Sequence, residues 1–473
     1  SPLKIEIKTN KYIAQRKQNM KIVFLDSKTI GDDIDLSEYD KLGEVVKTLP
    51  NGIFSASSLL EAKRAGAKYA LLGIPEDIGS RANGGRSGCR GAWLAFMQNF
   101  LNQQSNCFLS GENLLIAGCI PCDDLSQDAE HVPENTDPQE YWRALCSRLD
   151  ERVYPVIAAL VAYGYIPIVI GGGHNNAYPI IKGTAYGLSL ASLPELSLEE
   201  HPLIKVAFGQ SGSALGETLA NRPLSAEKAA SNLAMALENL TSGAADNQDI
   251  SISDSICAEE ISLAEAVRRH LQQSGQAKAN SDYLGPIDDG GQHFLPISVV
   301  NCDPHGDFCA LEGRHSGNSF SYAKLARYLK NYCLVNYHEN LNSANMLSYM
   351  RAQGVRAFSY ESVFIRHEFS YADTLDFVIQ LMNSSKDMIG LELDLHSIAH
   401  MPTNELSSCG ISLEDAAFYI HAMSSSLPIV YAHFPEGAPS LAAQGEKVVG
   451  KGLALLTSTF IKGCERNGRS RFV

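Results

Sequence analysis

Residues 297–307 read ISVVNCDPHGD, an apolar run that stops abruptly at Asp303, His305 and Asp307. The run is continuous rather than alternating. Strands buried on both faces of a parallel sheet read this way, because helices cover each face. Similar runs lie at 21–26 (KIVFLD), 68–74 (KYALLGI), 113–119 (NLLIAGC), 166–170 (IPIVI), 331–336 (NYCLVN), 388–393 (MIGLEL) and 428–432 (PIVYA). Among them are segments with helical spacing at 138–163, 319–329, 371–382, 412–423 and 441–461. Ser412 followed by Asp415 resembles a capping box with a shortened acid. Strand and helix alternate, which predicts an α/β fold with a mostly parallel sheet.

Residues 190–291 break the pattern. They are rich in Ala, Ser, Leu, Glu and Gln, with helical spacing at 226–240 and 258–273 and a loop-like stretch at 281–291 (SDYLGPIDDGG). This reads as an insertion within the domain.

Composition narrows the function classes. Against 39 Lys and Arg stand 53 Asp and Glu, a net charge of −14 over 473 residues. Such a chain repels phosphate backbones, so nucleic acid is not expected as a partner. The apolar runs fall far short of the roughly 20 residues a bilayer helix needs, so no membrane association is expected. The first residues are charged, with no apolar block of a secretory signal. The 11 cysteines are odd in number and scattered, which points to reduced thiols and a cytoplasmic setting. Cys119 and Cys122 form a lone CxxC, read as packing. No GxGxxG loop is present, so no dinucleotide cofactor is expected.

Four of the apolar runs end in groups that carry chemistry. After 166–170 come Gly171, Gly172, Gly173 and His174, followed by Asn175 and Asn176. After 297–302 come Asp303, His305 and Asp307, which an extended segment would aim to one side. Glu392 and Asp394 repeat the i, i+2 device, and Glu436 follows the last run. Taken singly, a DxHxD can belong to a solvated loop and a glycine-flanked histidine can merely end a strand. Acids inside an apolar strand are harder to explain, because a buried charge is costly unless paired or metal-bound. Carboxylates mixed with imidazoles suit hard divalent ions such as Mn²⁺. A pair of such ions lowers the pKa of a shared water, which the poor electrophilicity of an amidine or guanidine carbon calls for.

Together the motifs resemble the arginase (ureohydrolase) superfamily, and its formimidoylglutamase-like members in particular. That family runs GG-x-H, D-x-H-x-D and D-x-D in order; here they read GGGH, DPHGD and ELD. Residues 74–77 (IPED) and 83–86 (NGGR) are similar to its first strand and the Gly-rich turn after it. The resemblance covers residues 68–459 apart from the insertion. It implies a three-layer α/β/α fold, with an N-terminal extension at 1–66 and a catalytic domain at 67–473 interrupted at about 190–291. It implies His174, Asp303, His305, Asp307, Glu392 and Asp394 as ligands of two Mn²⁺ ions, or of one. Asp307 and Glu436 would be catalytic, Glu436 also gripping the substrate's amidine or guanidine. Residues 312–320 (EGRHSGNSF) fall where the family has a substrate loop, so Arg314, His315, Ser316 and Asn318 are implied as substrate-binding. Arg314 has a second reading as a structural ion pair.

The implied activity is hydrolysis of a linear amidine, N-formimidoyl-L-glutamate to glutamate and formamide, because GGGH is similar to formimidoylglutamases, while Phe320 is similar to both formimidoylglutamases and agmatinases. Guanidine hydrolysis of the arginase or agmatinase type, releasing urea, is the alternative. A weakened or inactive scaffold is another, since Glu392 stands where the family has Asp, Ser397-Ile398 replaces its Asp-Pro, and Asn175 and Asn176 replace a small or acidic residue. Homo-oligomers are common in the family.

Overall fold

The computed structural model describes residues 40–209, 286–288, 290–405 and 408–469. Nine strands form one sheet: β1 (Lys47–Thr48), β2 (Tyr69–Gly73), β3 (Leu114–Cys119), β4 (Ile166–Ile170), β5 (Ile297–Cys302), β6 (Leu329–Tyr337), β7 (Arg356–Ser359), β8 (Ile389–Leu393) and β9 (Ile429–Phe434). Their order is β1-β3-β2-β4-β9-β8-β5-β6-β7, and every pairing is parallel. The first strands build one half and β5 to β7 the other. The last two, β8 and β9, fill the middle. The strands β4, β9, β8 and β5 are therefore contiguous, and their carboxyl ends, which carry the singled-out residues, open at one place. Such sheets hold ligands there.

Among the helices of the described residues that cover the faces are α1 (Ala56–Arg64), α2 (Ala92–Phe100), α3 (Pro138–Ala162), α4 (Ala177–Leu190), α5 (Ser319–Leu325), α6 (Tyr371–Ser385), α7 (Leu413–Ser426) and α8 (Gly445–Arg469). Alternate strand residues supply the two cores, which is why the strands are apolar throughout. Leu72, Val169 and Val299 pack under α1, α3, α4 and α5; Leu71, Ile168, Ile170 and Val300 pack under α2, α6, α7 and α8. The result is the three-layer α/β/α fold. Local signals start the helices. Asp137 accepts from the backbone N–H groups of Gln139 and Glu140, with Pro138 at the first helical position. Ser412 and Asp415 form the capping box read from the sequence.

One expectation shifts, and three elements lie outside the sequence reading. The helix read over 319–329 ends at Leu325, and Leu329 instead opens β6, paired with Ile297. The edge strands β1 and β7 carry no apolar run, being short and partly exposed. Helix α4 is buried on nearly every side, so it shows no polar stripe to mark it. The segment expected as an N-terminal extension contributes β1 and α1 to this sheet and its cover. Of the stretch at 190–291, residues 190–209 pack on α3 through Leu203, Ile204 and Phe208. The strand read at 21–26 and the helices read at 226–240 and 258–273 lie outside the described residues.

Candidate metal centre

His174 sits at the start of a one-turn helix just after β4. The glycines before it are there for backbone reasons. Gly171 and Gly172 have φ of 84° and 67°, and a Cβ on Gly172 would sit 2.3 Å from Asn176 and 2.5 Å from Glu76. The Glu76 carboxylate, after β2, accepts from the N–H groups of Ile78 (2.6 Å) and Gly173 (2.8 Å) and from the Asn176 amide (2.6 Å). It ties the loop after β4 to the loop after β2. Burial pushes its pKa up to about 7, against those hydrogen bonds. This tie was not read from the sequence, although Glu76 lies in the quoted IPED segment.

Three carboxylates converge on His174 Nδ1. Oxygens of Asp303 and Asp307 lie at 2.9 Å, and one of Asp394 at 3.0 Å. All four side chains are buried, and neither ring nitrogen of His174 makes an aligned hydrogen bond. A buried nitrogen facing three acids without a hydrogen bond is the signature of a cation position. The spacing agrees, since ligands at right angles about an ion at about 2.1 Å stand roughly 3.0 Å apart. The residues therefore fit a hard divalent ion.

A second set adjoins the first and shares two of its acids. Asp303 Oδ2 faces His174 while its Oδ1 lies 3.5 Å from His305 Nδ1. Asp394 does the same, with Oδ2 on His174 and Oδ1 at 2.8 Å from His396 Nδ1. The rings of His305 and His396 meet edge to face at 5.6 Å. Nδ1 of His396 is likewise buried without an aligned partner. The outer nitrogens are occupied: Nε2 of His305 lies 3.2 Å from Glu405, and Nε2 of His396 meets the Asn404 amide oxygen. Outer contacts of this kind fix the tautomer and aim of a ligating histidine.

The geometry differs from the sequence reading at two points. The second acid-bearing pair is Asp394 and His396, one step beyond the Glu392 and Asp394 pair read from ELD. Strand β8 ends at Leu393, so only residues after it rise above the sheet edge. Glu392 remains inside the strand, on the far side of the His174 ring with Nε2 at 3.4 Å. The segment 303–307 is also not extended throughout. Asp307 has φ 48°, so Asp303 and Asp307 turn to His174 while His305 faces the second set. Burial and the adjacent Asp303 charge push Asp307 up to about 7.

Arg314 belongs to the loop implied as substrate-binding. It is buried and its donors are committed within the fold: Nε to Asp150 at 2.8 Å, Nη1 to Asn318 at 2.7 Å, and Nη2 to the Asn175 carbonyl at 2.7 Å. Its guanidinium lies against the rings of Tyr178 and Tyr322. The ion-pair reading holds, and a substrate carboxylate finds no free donor on it. Asn318 and His315 are turned inward too. Asn318 bonds Arg314 and the carbonyls of Ala310 and Gly313, and His315 Nδ1 accepts from the Gly317 N–H. Burial and the neighbouring Arg143 and Arg314 lower His315 to about 4, so it is neutral. Ser316 is buried in the same turn. The loop's visible work is to brace the site: Ser319 Oγ donates to the His174 carbonyl at 2.7 Å, and Phe320 packs edge-on against the His174 ring.

Replacing Arg314 with Met is expected to destabilise the fold by about 3–5 kcal/mol, because Asp150 is left buried without its cation. Burial already holds Asp150 near 6 despite Arg314. Without the guanidinium its folded pKa rises further above that of the unfolded chain. The stability deficit should then grow as pH rises from about 5 to 8. Urea melts of the metal-free protein at both pH values test this; a deficit under about 1 kcal/mol would contradict it.

Glu436 lies at φ 67° after β9, and buried. It accepts from the His174 N–H at 2.7 Å and from Ser80 Oγ at 3.0 Å, with the Cys89 thiol at 3.5 Å. It thereby pins the His174 backbone.

Residues 67–192 match the family described as the Arginase family. A formimidoylglutamase of Aeromonas hydrophila subsp. hydrophila is 34% identical over 118 residues, which is 25% of this chain and 31% of that protein. One from Aeromonas salmonicida is 34% identical over 109 residues, 23% of this chain and 28% of that protein. The aligned part thus spans about a third of these curated relatives. Among solved structures, formimidoylglutamase from Bacillus subtilis covers 91% of this chain and 93% of its own, with a TM-score of 0.54 at 11% identity. The arginase of Bacillus caldovelox covers 83% and 98%, with 0.51 at 13%. At such identities the likeness is one of fold. No helix among the described residues is long and apolar enough to cross a membrane.

Proposed function

We propose that this chain is a member of the arginase superfamily, a reading its matched segment supports, and that it is a two-metal hydrolase of linear amidines with N-formimidoyl-L-glutamate as substrate. The observation that carries the reading is the sharing of Asp303 and Asp394 between two histidine-bearing sets. His174, Asp303, Asp307 and Asp394 would hold one ion; His305, His396, Asp303 and Asp394 would hold the other. The oxygen-rich first set suits Mn²⁺. When bound, such ions lower the pKa of a water and offset negative charge developing on the substrate.

The chain's own residues do the rest. Asp307 takes the water's proton as its oxygen adds to the formimidoyl carbon, and returns it to the departing glutamate nitrogen as the C–N bond breaks. Glu436 faces the cationic amidine end. The name shared by the two curated relatives and the GGGH feature favour formimidoylglutamate over a guanidine. The commitment of its donors to Asp150, Asn318 and the Asn175 carbonyl argues against Arg314 as the carboxylate anchor. The protein is proposed to act as a soluble, cytoplasmic enzyme, and as a homo-oligomer by analogy with its superfamily.

Loading with Mn²⁺, desalting and elemental mass spectrometry should find two ions per chain. The loaded protein should then release formamide from N-formimidoyl-L-glutamate. Urea from a guanidine panel with no formamide would move the substrate class; fewer than two ions would refute the two-metal centre. Glu436→Gln keeps an oxygen for the His174 N–H and an amide for Ser80, yet removes the charge. It is expected to lower kcat/KM by about 10²–10³-fold with metal content unchanged. An unaltered kcat/KM would remove Glu436 from the reaction.

A further inference from the structure

Beneath the His174 ring lies a buried polar group that the chemistry above does not use. Glu392 on β8 and His433 on β9 are partners in register. Glu392 Oε2 meets His433 Nδ1 at 2.6 Å, and Tyr431 Oη donates to Oε1 at 2.8 Å. The same Oε2 lies 3.4 Å from His174 Nε2, and the His174 and His433 rings meet edge to face at 5.8 Å. All these side chains are buried. A carboxylate in a leucine-rich strand is costly to desolvate, so its placement calls for a reason beyond packing.

His174 Nε2, Glu392 and His433 lie close enough to suggest an ion site of their own. The 2.6 Å contact argues against it. That is the length of a direct charge-assisted hydrogen bond, whereas ligands of one ion at about 2.1 Å stand roughly 3 Å apart.

We propose that Glu392, held by His433 and Tyr431, is a positioning residue for His174. Its carboxylate faces Nε2 at 3.4 Å and favours the ring proton on that side, which leaves Nδ1 bare toward Asp303, Asp307 and Asp394. Without that charge the ring proton is free to sit on Nδ1, where three carboxylates would bind it in competition with the metal. Glu392 thus acts through His174 and does not itself ligate. The proposal rests on the metal centre above. Losing an acceptor of this kind typically weakens metal affinity about 10- to 100-fold.

The test is titration of the metal-free protein with Mn²⁺, reading free ion by electron paramagnetic resonance. Glu392→Leu should raise the Kd of the first ion about 10- to 100-fold. In Glu392→Leu/His433→Phe the stranded imidazole is gone, and thermal stability should recover while the Kd stays high. A Kd within twofold of wild type in Glu392→Leu, or one restored along with stability in the double variant, overturns the proposal. Should the variants fail to fold, ¹⁵N-histidine spectra of the Zn²⁺-loaded wild type decide it. Nδ1 metallated and Nε2 protonated is the expected result for His174, and the reverse refutes it. A wild type that takes up no Mn²⁺ overturns the metal centre and this proposal together. Equal uptake by wild type and variant overturns the proposal alone.

Discussion

Asp394→Asn is expected to leave the purified chain without bound Mn²⁺ and to cost about 10³-fold or more in turnover. The reason is the placement of its two oxygens: Oδ2 is 3.0 Å from His174 Nδ1 and Oδ1 is 2.8 Å from His396 Nδ1. One substitution therefore damages both sets, and several kcal/mol of charge stabilisation in the reaction goes with the ions. Asn is almost isosteric, so the fold should survive. The metal-free variant should melt somewhat below wild type, because against the cost of burial His396 and His174 hold Asp394 below the usual carboxylate range, and neutralising it removes that stabilisation. The contrast appears on adding Mn²⁺. Wild type should gain about 2.7 kcal/mol at a free concentration near 100 times Kd, and the variant almost nothing. Melting curves with and without Mn²⁺, alongside elemental analysis, check both halves. A variant holding two ions would show that Asp394 is not shared.

How much of this could be read from the sequence depends on which contacts are local. Strands β2 to β6, β8 and β9 were legible because burial on both faces leaves a continuous apolar run. Four site-bearing loops were legible because each follows such a run. The D-x-D register was not. Alternation places residues 392, 394 and 396 on one side equally well, and only the end of β8 at Leu393 decides which rise above the sheet edge. His396 was missed for that reason, though it lies two residues past Asp394, where a histidine after an acid could have been weighed. Glu392 read as a ligand because its partner His433 is matched to it only by the register of β8 and β9. Arg314 was open between two roles for a similar reason: Asp150 is 164 positions away, and no spacing rule connects them.

His396→Ala should reduce the bound metal from two ions to one, where Asp394→Asn removes both. The first set keeps all four of its members, His174 with Asp303, Asp307 and Asp394, because of these four His396 is paired with Asp394 alone, at Oδ1. His305→Ala should act the same way, its Nδ1 lying by Asp303 Oδ1. Turnover should fall by about 10²–10³-fold in each, since a single ion leaves less charge to lower the pKa of the water. The two histidines also make the second set richer in nitrogen than the first. Imidazole suits zinc and iron better than carboxylate does, so Zn²⁺ should displace the second ion at lower concentration than the first. In His396→Ala that early displacement step should vanish, leaving one transition. Competition titrations followed by elemental analysis read both effects. If His396→Ala retains two Mn²⁺ ions, the second set is misassigned and Glu392 returns as the candidate ligand.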